Sequence, residues 1–266
     1  MHKVEPQVFL IGETRIVEDG LAAYLEHIGA PEWQTTAPTD VEKIVEVYGR
    51  LCYRSWKPGM NPNVTKVREG NDTYLSNILS VKHGSVVEHG FINFIFADVS
   101  RVFTHELVRH RVGTAISQES LRFVRLDKIG FWAPSAIREE EKVMTIFSDT
   151  VEYLEKKQIE LAEYLKLDAV GEDGKPMVFH DKKVLTSAMR RIAPEGLSTT
   201  IGWSVNPRTL RWCLEARTNR SAEEEIRLVF GKVAEIVIRR YPNLFGDFTA
   251  KEVEGLPEYT TLHSKI

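Results

Sequence analysis

The sequence predicts an α+β fold in which helices outnumber strands. Apolar residues recur at helical spacing over several long segments, and short runs rich in Phe, Ile and Thr lie among them. The chain of 266 residues is 42% hydrophobic and 27% charged, which is typical of a globular protein long enough to bury a sizeable core. At roughly 100–200 residues per domain, such a chain forms one large domain or two small ones.

Each predicted element follows from a local pattern of side chains. Strands are predicted where apolar or β-branched residues follow one another, helices where apolar residues repeat every three or four positions, and connectors where Gly and Pro cluster. In chain order the predicted elements are a strand at 8–11, helices at 19–27 and 40–52, a loop at 57–63, a helix from about 71 to near 84, a strand at 90–96, helices at 101–111 and 143–167, a connector at 171–176, a strand at 197–205, and helices at 207–217 and from 221 to near 242.

Polar residues set the starts of several predicted helices. Asn71 or Asp72 is expected to cap the third helix, because a short polar side chain can accept a hydrogen bond from a free N–H of the first turn. Asn206, followed by a proline at the first helical position, is expected to do the same. Ser221 with Glu224 predicts a capping box for the last helix.

The charge balance argues against a general nucleic-acid-binding protein. The chain has 35 Lys and Arg against 38 Asp and Glu, a net charge of −3. A protein that coats nucleic acid is basic, so we expect no nucleic-acid partner. Any anion site is therefore local and built from a few arginines.

Cysteine content and hydropathy predict a cytoplasmic protein without a membrane partner. Cys52 and Cys213 are too few for a disulfide framework or a four-thiolate zinc site, and both are expected in the core. The N-terminus lacks the basic and apolar run of a signal peptide. The most apolar stretch, 91–97, is far shorter than the ~20 residues that a membrane helix needs.

Several common catalytic and cofactor motifs are missing from the sequence. The chain has neither a G-x-G-x-x-G after a strand nor a G-x-x-x-x-G-K-[ST] loop, the two standard phosphate-binding loops. It also lacks H-E-x-x-H, Cys/His clusters with metal-ligand spacing, and G-x-S-x-G. We therefore expect no metal, and catalysis needs a different set of residues.

The densest cluster of chemically active side chains lies at 109–122, with three arginines, a histidine and several hydroxyls. Guanidinium groups bind phosphate through parallel hydrogen bonds, and a loop around Gly113 can direct backbone N–H groups at an anion. On a continuous helix, Arg109 and Arg111 would point about 200° apart. Either the helix ends there or the two arginines serve different ligands, and a solvated basic face is an equally good interpretation.

Arginines and histidines elsewhere form three smaller groups. Arg217 continues the apolar stripe of helix 207–217, so it either pairs with a carboxylate such as Glu224 or faces a ligand, because an unpaired buried charge is unfavourable. Arg190 and the arginine after it are typical of a helix C-terminus. Segment 83–89 carries two histidines and a glutamate, for which structural hydrogen bonding is the favoured interpretation.

Taken jointly, these segments resemble the flavin-dependent thymidylate synthases. The matching motifs, in the family's order, are Glu88-His89, Arg109-His110-Arg111 followed by Ser120-Leu121-Arg122, Arg190 with a proline four residues on, and Asn206-x-Arg208 leading to Arg217. Any one of these motifs alone is weak, whereas the set spans about residues 75–248 and is highly specific.

The resemblance implies a reaction, its cofactors and an assembly. It implies reductive methylation of dUMP to dTMP, with 5,10-methylenetetrahydrofolate giving the carbon, NADPH giving the reducing equivalents through FAD, and no covalent enzyme nucleophile. It also implies a single domain over 1–266, mainly helical with a small antiparallel sheet. The assembly it implies is a homotetramer whose active sites are shared between subunits.

The resemblance further implies roles for individual residues. Arg217 would be catalytic, as a fixed cation beside the uracil ring. The residues implied for dUMP are Glu106, Arg109, Gln118, Ser120, Leu121, Arg122, Arg190 and Arg217. The residues implied for FAD are His89, Arg109, His110, Arg111, Gln118, Asn206, Arg208 and Trp212. Ser120 is assigned to binding, because no base and orienting group that would activate it are evident.

Three positions or segments depart from the family pattern. The eight-residue spacer 112–119 after the Arg-His-Arg motif is one residue longer than usual. Glu106 stands where the family often has Gln, and Trp212 stands where it often has an amide-type residue. The motifs leave 1–70 and 168–183 uncovered.

A non-catalytic nucleotide- or RNA-binding module that uses the same arginine cluster is the alternative function. The acidic net charge and the lack of interleaved surface aromatics disfavour it. A cysteine-dependent methyltransferase is a third interpretation, although neither cysteine has an adjacent histidine that would activate a thiolate.

Overall fold

Helices occupy more of the described chain than strands do. The computed structural model describes residues 2–123, 126–171 and 174–264. The helices, in chain order, are α1 Glu18–His27, α2 Asp40–Tyr53, α3 Asn71–Ser80, α4 Arg101–Leu107, α5 Ser135–Arg138, α6 Glu141–Tyr164, α7 Phe179–Met189, α8 Pro207–Thr218, α9 Glu224–Arg240 and α10 Pro242–Phe245, with 3₁₀ turns at Gly84–Glu88 and Arg190–Ile192.

The strands are short and form small sheets. They are β1 His2–Lys3, β2 Gln7–Glu13, β3 Ile92–Ser100, β4 Thr114–Gln118, β5 Gly130–Phe131, β6 Ser198–Val205, β7 Thr249–Val253 and β8 Leu256–Thr260. Four of them form a sheet in the order β2-β3-β6-β4, β1 pairs in parallel with β5, and β7 and β8 form an antiparallel hairpin. The described chain is thus a mixed fold of helices with a small strand content, as the sequence predicts.

The chain folds as two compact units. The described residues of 1–7, 95–109 and 116–202 form the first unit, and those of 8–94, 110–115 and 203–264 form the second. The single domain over 1–266 stays a prediction.

The core of the second unit forms around α8 and α9, which pack against each other. Trp203 is buried, with Phe94 and Phe230 at ring-centroid distances of 6.2 and 5.7 Å. Val233 and Val237 follow Phe230 at helical spacing and are fully buried, as the apolar stripe of α9 predicts. This core fixes α8, which carries several of the predicted site residues.

The first unit has a core of its own. Ile129, Phe131, Val151 and Leu197 are buried together in it. The long helix α6, all of whose residues are described, buries only Val151 and Gln158 of its 24 residues. The apolar stripe that predicts α6 is therefore only partly buried in the single chain, since Leu154 and Leu161 have intermediate exposure.

The predicted cap of α3 is wrong. The helix begins at Asn71 itself, directly after Gly70, whose φ of +83° lets the chain enter the helix sharply. Asn71 is fully buried, and its amide donates to the carboxylate of Glu46 at 2.7 Å. A tertiary hydrogen bond thus uses the side chain that was expected to cap the helix.

The predicted capping box of α9 is also wrong. Glu223 caps the helix, because its carboxylate accepts the N–H groups of Glu225 and Ile226 at 2.8 and 3.4 Å. Ser221 instead donates its hydroxyl to the side chain of Asn219 at 2.7 Å. A carboxylate at this position also complements the positive end of the helix dipole.

Two further predictions have opposite outcomes. The cap of α8 is confirmed, since Asn206 Oδ1 accepts the N–H of Thr209 at 2.8 Å and a proline opens the helix. Cys213 lies in the core as predicted, whereas Cys52 is exposed. Cys52 lies near the C-terminal end of α2, and the apolar stripe of that helix buries other positions.

We expect Gly113→Ala to destabilise the protein more than Gly59→Ala. Both glycines have positive φ, +69° and +83°, but a Cβ on Gly113 would overlap the side-chain amide of Asn206, whereas nothing lies within 4 Å of one on Gly59. The free energy of unfolding should fall by roughly 3 kcal/mol for Gly113→Ala against about 1–2 kcal/mol for Gly59→Ala. Urea denaturation measures both values, and equal losses would contradict the close approach to α8.

Candidate functional site

The Arg-His-Arg motif lies outside a helix. α4 ends at Leu107, so the predicted helix over 101–111 is four residues too long. Arg109 and Arg111 are both exposed in the single chain. A continuous helix would point the two side chains in opposed directions, but both residues follow the end of α4. Of the two alternatives that the sequence left open, the one in which the helix ends is therefore correct.

The segment 110–114 is fixed to the start of α8 by hydrogen bonds that its backbone carbonyls accept. The carbonyl of Gly113 accepts the N–H of Asn206 at 2.9 Å, and the carbonyl of Val112 accepts the hydroxyl of Thr209 at 2.8 Å. The side chain of Asn206 caps the same helix turn. The bonds that this segment would make in a continued helix are thus replaced by bonds to α8.

His110 accepts a hydrogen bond from Arg217. The imidazole is 3% exposed, and its Nε2 lies 2.6 Å from Nε of Arg217. A guanidinium N–H can only donate, so Nε2 carries the lone pair and the ring proton is on Nδ1. Nδ1 is buried and has no hydrogen-bond partner within the described residues. The ring therefore presents a donor that an acceptor on a ligand could satisfy.

The charge state of His110 follows from the same surroundings. Burial, followed by the positive charge of Arg217, lowers the pKa of His110 from 6.5 to about 4. At neutral pH the imidazole is therefore uncharged, and it can accept from the guanidinium.

Two residues of α8, Arg208 and Trp212, line a cavity. Trp212 is 49% exposed, and its ring centroid lies 4.8 Å from that of His110 at an interplanar angle of 71°. The cavity has a volume of about 280 Å³ and is also lined by Glu88, whose carboxylate pairs with the guanidinium of Arg208. An aromatic wall thus adjoins an ion pair.

Tyr48 contacts the predicted site residue His89. The two rings stack with centroids 3.7 Å apart and planes within 5° of parallel. Burial lowers the pKa of His89, and the carboxylate of Glu88 opposes that shift. The sequence predicts the helix that carries Tyr48 but not this contact, because the contact forms only when α2 packs against the 3₁₀ turn Gly84–Glu88.

The spacer after the Arg-His-Arg motif contains a strand that the sequence did not indicate. β4 occupies Thr114–Gln118, where an exit loop was expected. The side chain of Gln118 donates to the hydroxyl of Thr104 in α4 at 3.1 Å. Glu106 lies on the same helix and is half-buried.

Ser120, Leu121 and Arg122 form a turn. The carbonyl of Ser120 accepts the N–H of Phe123 at 2.9 Å, and its Oγ accepts the N–H of Arg122 at 3.3 Å. Thr186 of α7 donates its hydroxyl to the carbonyl of Arg122 at 2.8 Å. Nε of Arg122 is buried without a partner among the described residues. This turn therefore carries a further donor for an anionic ligand.

A larger cavity lies in the first unit. It has a volume of about 540 Å³, and Leu121, Thr186 and Arg190 line it together with residues of α6. Arg190 follows the last residue of α7 and is exposed. Two predicted site residues far apart in sequence, Leu121 and Arg190, thus share one cavity.

The predicted site residues divide between the two units. The first unit contains Glu106, Arg109, Gln118, Ser120, Leu121, Arg122 and Arg190, and the second contains His89, His110, Arg111, Asn206, Arg208, Trp212 and Arg217. Most residues implied for dUMP therefore lie in the first unit, and most of those implied for FAD lie in the second.

The described residues include neither a metal-binding cluster nor a membrane-spanning helix. Among them, no group of three or more His, Cys, Asp and Glu side chains is arranged to hold a metal ion. None of the helices in the described ranges combines the length and apolarity that crossing a bilayer requires.

Known sequences resemble this chain over most of its length. Residues 35–243 match the family described as Thymidylate synthase complementing protein. A protein of Mycobacteroides abscessus named flavin-dependent thymidylate synthase is 32% identical over 231 residues, which are 86% of this chain and 88% of the relative. A protein of the same name from Mycobacterium marinum is 31% identical over 254 residues, 94% of this chain and 97% of the relative.

Solved structures share the fold. Thymidylate synthase X from Helicobacter pylori, solved with FAD and dUMP, covers 91% of this chain and 98% of its own, with a TM-score of 0.56 at 18% identity. A UMP/dUMP methylase from Streptomyces cacaoi, bound with 5-bromo-dUMP, covers 92% and 96%, with a TM-score of 0.61 at 14% identity. At these identities the likeness concerns the fold alone.

We expect the stability of the protein to depend on pH through His110. The folded state holds its pKa near 4 against an ordinary value of 6.5, so the unfolded state binds more protons between these values. The free energy of unfolding should therefore fall as the pH decreases through this window, by up to about 3 kcal/mol. Urea denaturation measures the free energy of unfolding from about pH 7 to about pH 4.5. Its slope against pH should be shallower for His110→Gln than for the wild type, and an equal slope would argue against the buried neutral ring.

Proposed function

Because the chain belongs to the flavin-dependent thymidylate synthase family, we propose that 5,10-methylenetetrahydrofolate supplies the methyl carbon of its product and that NADPH supplies the reducing equivalents. The chain is an enzyme that methylates dUMP to dTMP with FAD. The observation that carries the assignment is the family match over 35–243, which includes every motif that bears a predicted site residue. This match favours an enzyme over the non-catalytic nucleotide- or RNA-binding module.

FAD would be held largely by residues of the second unit. When bound, FAD supplies the redox chemistry that the amino-acid side chains lack. The residues present fit such a group, since the buried Nδ1–H of His110 needs an acceptor and the half-exposed ring of Trp212 offers an aromatic surface. The full set that we propose for FAD is His89, Arg109, His110, Arg111, Gln118, Asn206, Arg208 and Trp212.

The dUMP phosphate would be held by the turn at Ser120–Arg122 and by Arg190. Three features support this proposal: the unsatisfied Nε of Arg122, the shared cavity of Leu121 and Arg190, and the fixed charge of both guanidinium groups. Glu106, Arg109 and Gln118 complete the proposed dUMP set on the strength of the family motifs.

Arg217 would be the catalytic residue. A guanidinium held beside the uracil ring stabilises negative charge that develops on the ring as its carbon-5 becomes nucleophilic. The hydrogen bond from its Nε to His110 restrains the group, so little reorganisation is needed when that charge forms.

No covalent enzyme nucleophile is needed in this proposal. Cys213 is fully buried, and burial raises the pKa of its thiol, which disfavours a reactive thiolate. The hydroxyl of Ser120 accepts from the backbone N–H of Arg122, which suits a binding and turn-forming role.

We also propose a homotetramer with shared active sites, acting in the cytoplasm as a single catalytic domain. Large apolar side chains of α6 and α7 support the assembly, because Ile146, Tyr153, Tyr164 and Phe179 are 65%, 58%, 85% and 68% exposed. Exposed apolar surface of this extent typically marks a protein interface. Two unpaired cysteines suit a reducing compartment.

The reaction is tested by tritium release from carbon-5 of labelled dUMP. We expect a yellow protein that bleaches with NADPH, and release only when FAD, NADPH and 5,10-methylenetetrahydrofolate are all supplied. A colourless protein that takes up no added FAD would overturn the proposal.

The role of Arg217 is tested in the same assay. Arg217→Ala should lower the rate of dTMP formation by about 100-fold or more while flavin stays bound, because the stabilising charge is lost and the residues proposed for FAD are unchanged. The matched control is Arg220→Ala, which removes an exposed arginine from the residues just after α8 and should leave the rate unchanged. Near-normal turnover of Arg217→Ala would remove its assigned role.

The assembly is tested by light scattering on the eluting protein. We expect a mass four times that of the 30.4 kDa chain. Tyr164→Glu should lower that mass, because it introduces a charge on the exposed apolar surface of α6, and a tetramer unaffected by this change would place the interface elsewhere.

A further inference from the structure

Arg217 is oriented by a group on another segment of the chain. Its Nε donates to Nε2 of His110 at 2.6 Å, and the side chain of His110 is only 3% exposed. A guanidinium is planar, so a hydrogen bond that fixes Nε also fixes the plane in which the two terminal nitrogens lie. The direction in which Arg217 presents its charge is therefore set by the position of His110.

The position of His110 is itself restrained. The carbonyl of His110 accepts the hydroxyl of Thr114 at 2.6 Å, and the next residues are bound to the start of α8 through Val112 and Gly113. The ring of Trp212 packs edge-on against the imidazole. The acceptor that meets Arg217 is thus held by backbone and by side-chain contacts on two sides.

Only the neutral imidazole can act in this way. If His110 carried two protons, Nε2 would be a donor facing a donor, and the pair would repel. Burial and the charge of Arg217 both favour the neutral ring, whose remaining proton lies on Nδ1. Nδ1 faces away from the guanidinium because the two ring nitrogens are not adjacent, so a ligand contact there and the bond to Arg217 are compatible.

We propose that His110 is a positioning residue for methyl transfer, whose neutral Nε2 holds the guanidinium of Arg217 in the orientation used on dUMP. The inference rests on the proposed function for its catalytic consequence. The hydrogen bond itself, and the tautomer that it requires, belong to the free protein. The imidazole of His110 would in this way contact flavin through Nδ1 and orient Arg217, which contacts the nucleotide, through Nε2.

Two variants of His110 distinguish the effect of its hydrogen-bond acceptor from the effect of its size. In His110→Gln the amide oxygen can reach the site of Nε2 and accept from Arg217, whereas His110→Leu has similar size and no acceptor. With rates normalised to bound flavin, we expect His110→Gln to stay within about threefold of the wild type and His110→Leu to lose about 10- to 100-fold in kcat. The control His83→Leu, at a partly exposed histidine paired with Tyr53, should leave kcat unchanged.

A double-mutant cycle tests whether His110 acts through Arg217. The affinity for dUMP is measured by the change in flavin absorbance for His110→Leu, Arg217→Ala and the double variant. We expect the double variant to bind dUMP no more weakly than Arg217→Ala alone, because the acceptor has nothing left to hold. Additive losses, or equal kcat losses in His110→Leu and His110→Gln, would overturn the inference.

Nitrogen-15 NMR of histidine-labelled protein tests the geometry without relying on activity, and its main readout uses the wild type. We expect the His110 resonances to report a protonated Nδ1 and an unprotonated Nε2 at neutral pH, and Arg217→Lys to shift the Nε2 resonance. An unprotonated Nδ1 would overturn the inference even in an active enzyme. A colourless, inactive wild type with the expected NMR pattern would instead overturn the proposed function and leave the hydrogen bond established.

Discussion

The contact between segment 110–114 and helix α8 is the constraint on which the candidate flavin site depends. The carbonyls of Val112 and Gly113 accept hydrogen bonds from Thr209 and Asn206 at the start of α8. The same packing buries His110 and leaves Arg217 as the donor to its ring. One set of hydrogen bonds thus fixes where the Arg-His-Arg motif lies, which tautomer its histidine adopts and how an arginine of α8 is oriented.

The protein uses arginine in two physically different ways. Arg50 and Arg211 are each 2% exposed, and their guanidinium groups are paired with Glu46 and Asp247, as a buried cation requires. Three arginines of the family motifs, Arg109, Arg111 and Arg190, lie outside the α-helices and are exposed instead. An exposed guanidinium keeps N–H donors that a bound anion could accept, and such binding would stabilise the folded chain.

Sequence patterns predicted the elements whose formation depends on local interactions. The apolar periodicity predicts α2 and α9 closely, and the cap at Asn206 is where the sequence puts it. The surface helix α7, the hairpin β7–β8 and strand β4 were not predicted, because their residues lack a clear apolar period. The predicted cap of α3 was wrong because the side chain of Asn71 makes a buried tertiary hydrogen bond. The predicted cap of α9 was wrong because Glu223, rather than Ser221, accepts the N–H groups of the first turn.

The sequence alone determined the family and the helical periodicity, and it predicts the site residues, since motif spacing and side-chain period are properties of the linear chain. Only the tertiary structure decided that α4 stops before the Arg-His-Arg motif, that Tyr48 stacks on His89, and that His110 is a neutral acceptor. These features depend on contacts between segments far apart in sequence. Burial and the approach of a second charge set a pKa and a tautomer, and neither is specified by any short stretch of residues.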